Sequence, residues 1–194
     1  EQNRTITWRH LLEQTSEWQG TLFDKPDQVD HFRDLGADSN KKKGEKRDLQ
    51  TPGTYWEYND VRVNRMSLSL MQVFRRPLAD VLQERVMSPI GASDTWSWEP
   101  YRNAEVVVDG TPMMSVPGGG HWGGGLFIAS RDLARVGRLV QNGGRIGDRQ
   151  ILPEGWSTQL RTPCALNPKY GLMWWLNTDR QYVRRAPETS YFMI

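Results

Sequence analysis

The segment that decides the fold is TPGTYWEYNDVRVNRMSLSLMQVF, residues 51–74. It runs from a Pro-Gly turn through an aromatic stretch and into a helical pattern that begins at Asp60. Apolar residues then recur at steps of three and four, the spacing of one buried helix face. The predicted core positions are Val63, Met66, Leu70, Val73 and Phe74. The segment therefore predicts a loop that delivers polar and aromatic side chains to the N-terminus of a core helix.

Further elements are predicted on both sides of this helix. Upstream, residues 7–14 indicate a short helix capped by Thr7, and residues 24–50 indicate a charged surface loop. Downstream, Arg75-Arg76-Pro77 ends the core helix, and a second helix runs to Gly91, which can adopt a left-handed cap. Residues 105–114 predict a hairpin with Asp109-Gly110 in its turn.

The C-terminal part alternates helical and strand patterns. In GLFIASRDLARVGRLVQNGG (125–144) we expect a helix with Ser130 as N-cap and Gly143 at its end. Its predicted inward residues are Leu133, Val136 and Val140. A hairpin over 145–152, a helix starting at Pro153 and three antiparallel strands (YGLMWWLN, QYVRR, SYFMI) follow. Mixed helices and antiparallel strands predict the α+β class.

Composition excludes several classes of function. The chain has 194 residues, enough for a core, and a net charge of +2, which predicts neither a nucleic-acid partner nor an anionic membrane partner. The single cysteine, Cys164, excludes an internal disulfide, and the three histidines lack the spacing of a metal site. No apolar run reaches the ~20 residues that span a membrane. We therefore expect no cofactor, no metal and no membrane span.

Tyr58 is the first candidate for chemistry. A phenol becomes a usable general base when nearby cations lower its pKa, and a helix N-terminus favours an anion. Asp60 follows two residues later and can point into the same cleft. Two interpretations stay open: a catalytic pair, or a packed tyrosine followed by an aspartate that caps the helix.

The second candidate is the glycine-rich run PGGGHWGGG, residues 117–125. Glycines allow the backbone to approach a ligand closely, so His121, Trp122 and Gly123 are predicted to line a pocket wall. The alternative is a flexible loop that carries an interfacial tryptophan. The run is not a phosphate loop, because GxxxxGK[ST] is absent.

Together, ITWRHLLEQTSEW (6–18), PGTYWEYND (52–60), PIGA (89–92), the 125–144 segment and ILPEGW (151–156) resemble the β-lactamase-related serine hydrolases. This family joins class C β-lactamases, D,D-peptidases, esterases and amide hydrolases. The resemblance implies a β-lactamase/transpeptidase-like fold, with an antiparallel sheet flanked by helices and a helical subdomain over about 60–91. It implies one partial domain over 1–194, with a sheet-associated part over about 104–194, incomplete at both ends.

The resemblance also implies three active-site motifs. Tyr58-Asn59-Asp60 matches Tyr-x-Asn, in which the tyrosine relays a proton to the leaving group, except that Asp60 replaces the asparagine. The added negative charge disfavours carboxylate-bearing substrates and favours esters or amides. The other two motifs, Ser-x-x-Lys with the nucleophile and a Lys/His-Thr-Gly variant, are expected outside this chain. Ser39-Asn40-Lys41-Lys42 matches the first only formally, since no apolar helix follows it.

The expected function is therefore hydrolysis of a small ester or amide through an acyl-enzyme. Tyr58 and Asp60 are the expected catalytic residues, and His121, Trp122, Gly123 and Trp174 the expected substrate-binding residues. The missing part of the same fold is the expected partner. Two rivals remain: a non-catalytic homologue that acts as a binding or scaffold protein, and an unrelated α+β domain that binds carbohydrate or peptide in an aromatic groove.

Overall fold

A computed structural model describes residues 1–27, 47–118 and 125–192. The chain groups into two compact units. The first comprises Glu1–Val81 and Ser97–Phe127, and the second comprises Leu82–Trp96 and Ile128–Ile194. The prediction of a single partial domain over 1–194 stays a prediction.

The first unit is built on two α-helices and short antiparallel strand pairs. A 3-10 turn (Gln2–Thr5) precedes α1 (Trp8–Leu12), and β1 (Thr21–Leu22) pairs with β2 (Lys25–Pro26). Helix α2 spans Asp60–Phe74 and is followed by α3 (Leu78–Leu82). Strand β3 (Ser97–Trp98) pairs with β6 (Leu126–Phe127), and β4 (Glu105–Val108) pairs with β5 (Thr111–Met114). The predicted hairpin over 105–114 is thus present, with Asp109 and Gly110 both at positive φ in its turn.

Two ends of the predicted helices match the structure. Thr7 caps α1 by accepting from the His10 N–H, while the His10 side chain accepts from the Thr7 N–H. Helix α2 ends at Arg75, which adopts the left-handed conformation (φ 53°). The predicted loop over 24–50 is described only at its ends, where Lys25–Pro26 form β2 and Arg47 contacts Glu17.

The core of the first unit lies along α2. Its buried members come from α2, from α3, from the strands around them and from the loop after β5: Leu22, Val61, Leu68, Met71, Leu78, Val108 and Val116. The prediction for Val73 is wrong, since its side chain is 64% exposed. The early turns of α2 are buried on nearly every side, and Val73 lies beyond them, in the last turn.

The second unit packs helix α4 (Ser130–Gln141) against a π-helical turn (Gln83–Met87) and the loop after it. Its buried apolar residues are Met87, Ile90 and Leu139. Two predictions need correction. The N-cap position is Ala129, not Ser130, and Leu133 is exposed while Leu139 takes the buried place. The buried face of α4 begins instead at Asp132, which accepts hydrogen bonds from Ser93.

Short elements complete the second unit. Strand β7 (Arg145–Ile146) pairs with β8 (Arg149–Gln150), as predicted, and α5 spans Trp156–Leu160. Strand β9 (Trp175–Leu176) pairs with β10 (Tyr191–Phe192). The strand predicted over 181–185 is absent. The chain turns there, and the buried Asn177 side chain donates to the carbonyl oxygens of Val183 and Pro187.

Gly171 is a position where no side chain fits. A Cβ added there would overlap the carbonyl oxygen of Leu160, which also accepts the N–H of Leu172. Gly171→Ala is expected to lower the free energy of unfolding by about 1–3 kcal/mol, because a backbone carbonyl cannot swing aside as a side-chain end can.

Gly137 provides the matched control on the exposed face of α4, where an added Cβ meets nothing within 4 Å. Gly137→Ala is expected to stabilise by about 0.5–1 kcal/mol, since alanine is the better helix former. Urea titrations of both variants check the pair. Equal effects would contradict the steric argument.

Candidate active site

The N-terminus of α2 forms the centre of the candidate site. Asn59 caps the helix: its Oδ1 accepts the Arg62 N–H (3.1 Å), and its Nδ2 donates to the Asp27 carbonyl (2.5 Å). The alternative that made Asp60 the cap is therefore wrong. Asp60 is buried in the first turn of the helix, and Tyr58 is half-buried just before the cap. The sequence places both candidate residues at one helix end, and the structure keeps them there.

Gln14 borders the segment that carries Tyr58. The Glu57 N–H donates to the Gln14 carbonyl oxygen (3.0 Å), and the Asn59 N–H donates to Gln14 Oε1 (3.1 Å). Thr15, the residue after Gln14, accepts the Gly53 N–H through its carbonyl oxygen (2.8 Å). The stretch from Gly53 to Asn59 is thus fastened to the residues that follow α1.

A buried charge cluster lies beside this contact. Glu17 accepts from Arg47 through both carboxylate oxygens (2.6 and 2.7 Å) and from Arg62 Nη1 (2.8 Å). Glu57 joins through Arg47 Nη2 (2.8 Å) and Arg62 Nη1 (3.3 Å). The side chain of Arg62 is 1% exposed and that of Glu17 is 0% exposed. Two carboxylates and two guanidinium groups balance in charge, which is how proteins hold such groups away from water.

Electrostatics follow from this geometry. Burial alone raises the pKa of Glu17, but hydrogen bonds from Arg47 and the Gln50 N–H, with the charges of Arg62 and Arg47, outweigh it and hold the pKa below its usual value. The hydrogen bond to Glu17 raises the pKa of Arg47 further above its already high value. Glu17 and Arg47 therefore stay ionised at neutral pH.

Both described ends of the glycine-rich run lie in the first unit. The Gly118 N–H donates to Asn64 Oδ1 (2.9 Å), and an added Cβ at Gly118 would overlap Ser67 on the same helix. The Glu99 N–H donates to the Gly125 carbonyl (2.8 Å). Asn64 lies one helical turn after Asp60 and therefore on the same face of α2. Gly118 contacts this face through Asn64.

Of the four predicted substrate-binding residues, the structure describes one, Trp174. His121, Trp122 and Gly123 lie outside the described residues. Trp174 lies in the second unit, half-buried, with its ring edge-to-face against Tyr191 at 5.2 Å. Neighbouring Trp175 contacts Tyr170, which is buried.

Sequence reasoning did not identify Gln14, Glu17, Arg47, Arg62 or Asn64. The one usable signal was Arg62, a charge between the apolar residues Val61 and Val63 in the predicted core helix, which called for a buried counter-charge. Across the described ranges, no group of three or more potential metal ligands is present, and no helix is long and apolar enough to cross a membrane.

The family model described as Beta-lactamase matches residues 1–191. The chain belongs to the beta-lactamase family. Among curated protein sequences, none is significantly similar to it. The predicted β-lactamase/transpeptidase-like α+β fold is confirmed by solved structures, and the resemblance that the sequence motifs indicated is confirmed with it.

Three solved structures illustrate the fold. A protein described as a 6-aminohexanoate-dimer hydrolase from Bacillus anthracis has a TM-score of 0.58 and 20% identity, over 91% of this chain and 48% of its own. One described as a beta-lactamase from Bacteroides dorei DSM 17855 has a TM-score of 0.56 and 23% identity, over 88% of this chain and 52% of its own. A penicillin binding protein from Bacillus halodurans has a TM-score of 0.55 and 17% identity, over 89% of this chain and 56% of its own. This beta-lactamase family chain thus spans about half the length of the structures it matches.

Proposed function

We propose that this chain supplies the proton-relay tyrosine of a serine hydrolase that acts on esters or amides. The observation that carries the proposal is the placement of Tyr58: directly before the Asn59 cap of α2, in a segment fastened on both sides by Gln14. A general base works only when it is held within hydrogen-bond reach of the proton it moves, and the hydrogen bonds to Gln14 hold this segment in place.

The reaction would proceed through an acyl-enzyme. A serine Oγ outside this chain bonds to the substrate carbonyl carbon, and the C–O or C–N bond to the leaving group breaks. The Oγ proton passes through the Tyr58 hydroxyl to the leaving oxygen or nitrogen. Water then attacks the acyl carbonyl, the serine recovers a proton, and a carboxylic acid departs.

Asp60 would select among substrates. Its carboxylate is buried in the first turn of α2, next to the segment of Tyr58. A negative charge there repels a substrate carboxylate and tolerates a neutral ester or amide.

The glycine-rich run would form one wall of the substrate pocket through His121, Trp122 and Gly123. Support comes from Gly118, a described residue of the run, whose N–H donates to Asn64 Oδ1 one helical turn after Asp60. Trp174 is proposed as a further substrate contact on the grounds of its aromatic surface. The substrate is a small molecule, and the chemistry requires no cofactor.

The test is covalent labelling of the full-length protein with a fluorophosphonate. The expected result is a single adduct by intact mass, which an ester substrate suppresses and which peptide mapping places on a serine outside residues 1–194. Heat-denatured protein is the control and should stay unlabelled. A folded full-length protein that takes no adduct would overturn the proposal and favour a non-catalytic homologue that binds ligands or acts as a scaffold.

A further inference from the structure

Gln14 adopts a conformation that few residues other than glycine accept. It follows α1 directly, has a positive φ of 60° and is 1% exposed. A long polar side chain is costly to bury, and the left-handed region is unfavourable for it. A residue held this way is fixed by its contacts, and the contacts of Gln14 point to the segment of Tyr58.

Two hydrogen bonds that Gln14 accepts flank Tyr58 on either side. Its backbone carbonyl accepts the Glu57 N–H at 3.0 Å, and its side-chain Oε1 accepts the Asn59 N–H at 3.1 Å. Asn59 is extended (φ −148°, ψ 111°), and N–H groups two residues apart in an extended chain point to the same side. One residue therefore holds the peptide plane between Trp56 and Glu57 and the plane between Tyr58 and Asn59, and the second of these planes limits the direction of the Tyr58 Cα–Cβ bond.

The two hydrogen bonds that Gln14 accepts form a clamp on the segment of Tyr58, and this clamp is also linked to α2. Glu17, three residues after Gln14, bonds Arg62 in the first turn of that helix, and Asn59 caps the helix through the Arg62 N–H. The segment of Tyr58 is therefore held between two elements that are themselves joined by a buried ion pair. A displacement of the backbone on either side of Tyr58 therefore strains these contacts.

We propose that Gln14 is a positioning residue for Tyr58: it sets the hydroxyl in place for proton transfer and does not touch the substrate. The inference rests on the proposed function of Tyr58 as proton relay. A misplacement of about 1 Å in a reacting group can cost on the order of 100-fold in rate, so the loss of one clamp contact should appear in turnover.

The test is a double-mutant cycle on the full-length protein with a chromogenic ester. Gln14→Met keeps the length of the side chain and removes the oxygen that accepts the Asn59 N–H. It is expected to lower kcat about 10-fold or more while KM changes less than about 3-fold. In a Tyr58→Phe background the same substitution should change kcat less than about 2-fold, because the group it positions is gone.

The control is Gln141→Met, on the exposed end of α4, which should leave kcat unchanged. If Gln14→Met fails to fold, Gln14→Asn withdraws the acceptor by one methylene and should show the same non-additivity. An equal loss in both backgrounds would overturn the positioning role and leave the proposed function intact. If Tyr58→Phe itself has no effect on kcat, the proposed function fails.

Discussion

Tyr58→Phe is expected to lower kcat for an ester substrate by about 100-fold or more in the full-length protein, since general acid–base groups contribute factors of this size. The substitution removes one oxygen and leaves the ring, so packing around residue 58 is retained. Both the acylation and the deacylation steps lose their proton relay. Steady-state kinetics with a chromogenic ester measure the loss, and the melting temperature should stay close to that of the unaltered protein.

Tyr55→Phe is the matched control for this prediction. Tyr55 lies three residues earlier in the same segment, and its ring stacks against the Arg47 guanidinium at 3.9 Å from the centroid. Phenylalanine keeps that stacking surface, so kcat should change less than about 2-fold. If the two variants behaved alike, residue 58 would be a packing residue and the hydrolase mechanism would lose its base.

The sequence predicted those parts of the fold that local patterns specify. Helix α2, its end at Arg75 and the β4–β5 hairpin each depend on residues a few positions apart. The errors occurred where burial depends on distant elements. Val73 and Leu133 continue an apolar helical pattern, yet neither reaches the buried face of its helix. Residues 181–185 look like a strand, but Asn177 folds the chain into turns around its side chain.

The sequence likewise predicts only the local part of the candidate site. Tyr58 and Asp60 follow from their position at a helix start, which the sequence displays. The clamp and the charge cluster do not, because Gln14 meets Asn59, and Glu17 meets Arg62, each across 45 residues of chain. No periodicity encodes such a contact. Arg62 within an apolar stretch indicated that a partner exists, but not that the partner is Glu17.

Glu17→Gln is expected to lower the free energy of unfolding at pH 7 by about 3 kcal/mol or more, because removing one partner of a buried ion pair leaves the other charge uncompensated. The side chain of Glu17 is 0% exposed and receives hydrogen bonds from two arginines and from the Gln50 N–H. Glutamine keeps the shape but not the charge that Arg62 and Arg47 require. Urea titration measures the difference.

Glu13→Gln is the control, since Glu13 also pairs with an arginine, Arg9, at 2.8 Å but on the surface of α1. A partly exposed pair of this kind, with Arg9 58% and Glu13 17% exposed, is worth less than about 1 kcal/mol, so the variant should be near neutral. Comparable losses at positions 13 and 17 would mean that the buried cluster holds no more energy than a surface pair.

The Glu17 prediction also includes the pH dependence of the free energy of unfolding. The folded-state pKa of Glu17 lies below its unfolded value near 4.5, so the stabilisation is present above that value and is lost as pH falls through the folded pKa. The unaltered protein should therefore lose stability on acidification, and Glu17→Gln should lose less. The two curves are expected to converge in acid. A constant difference down to pH 2 would show that the substitution acts through packing, not through the charge of Glu17.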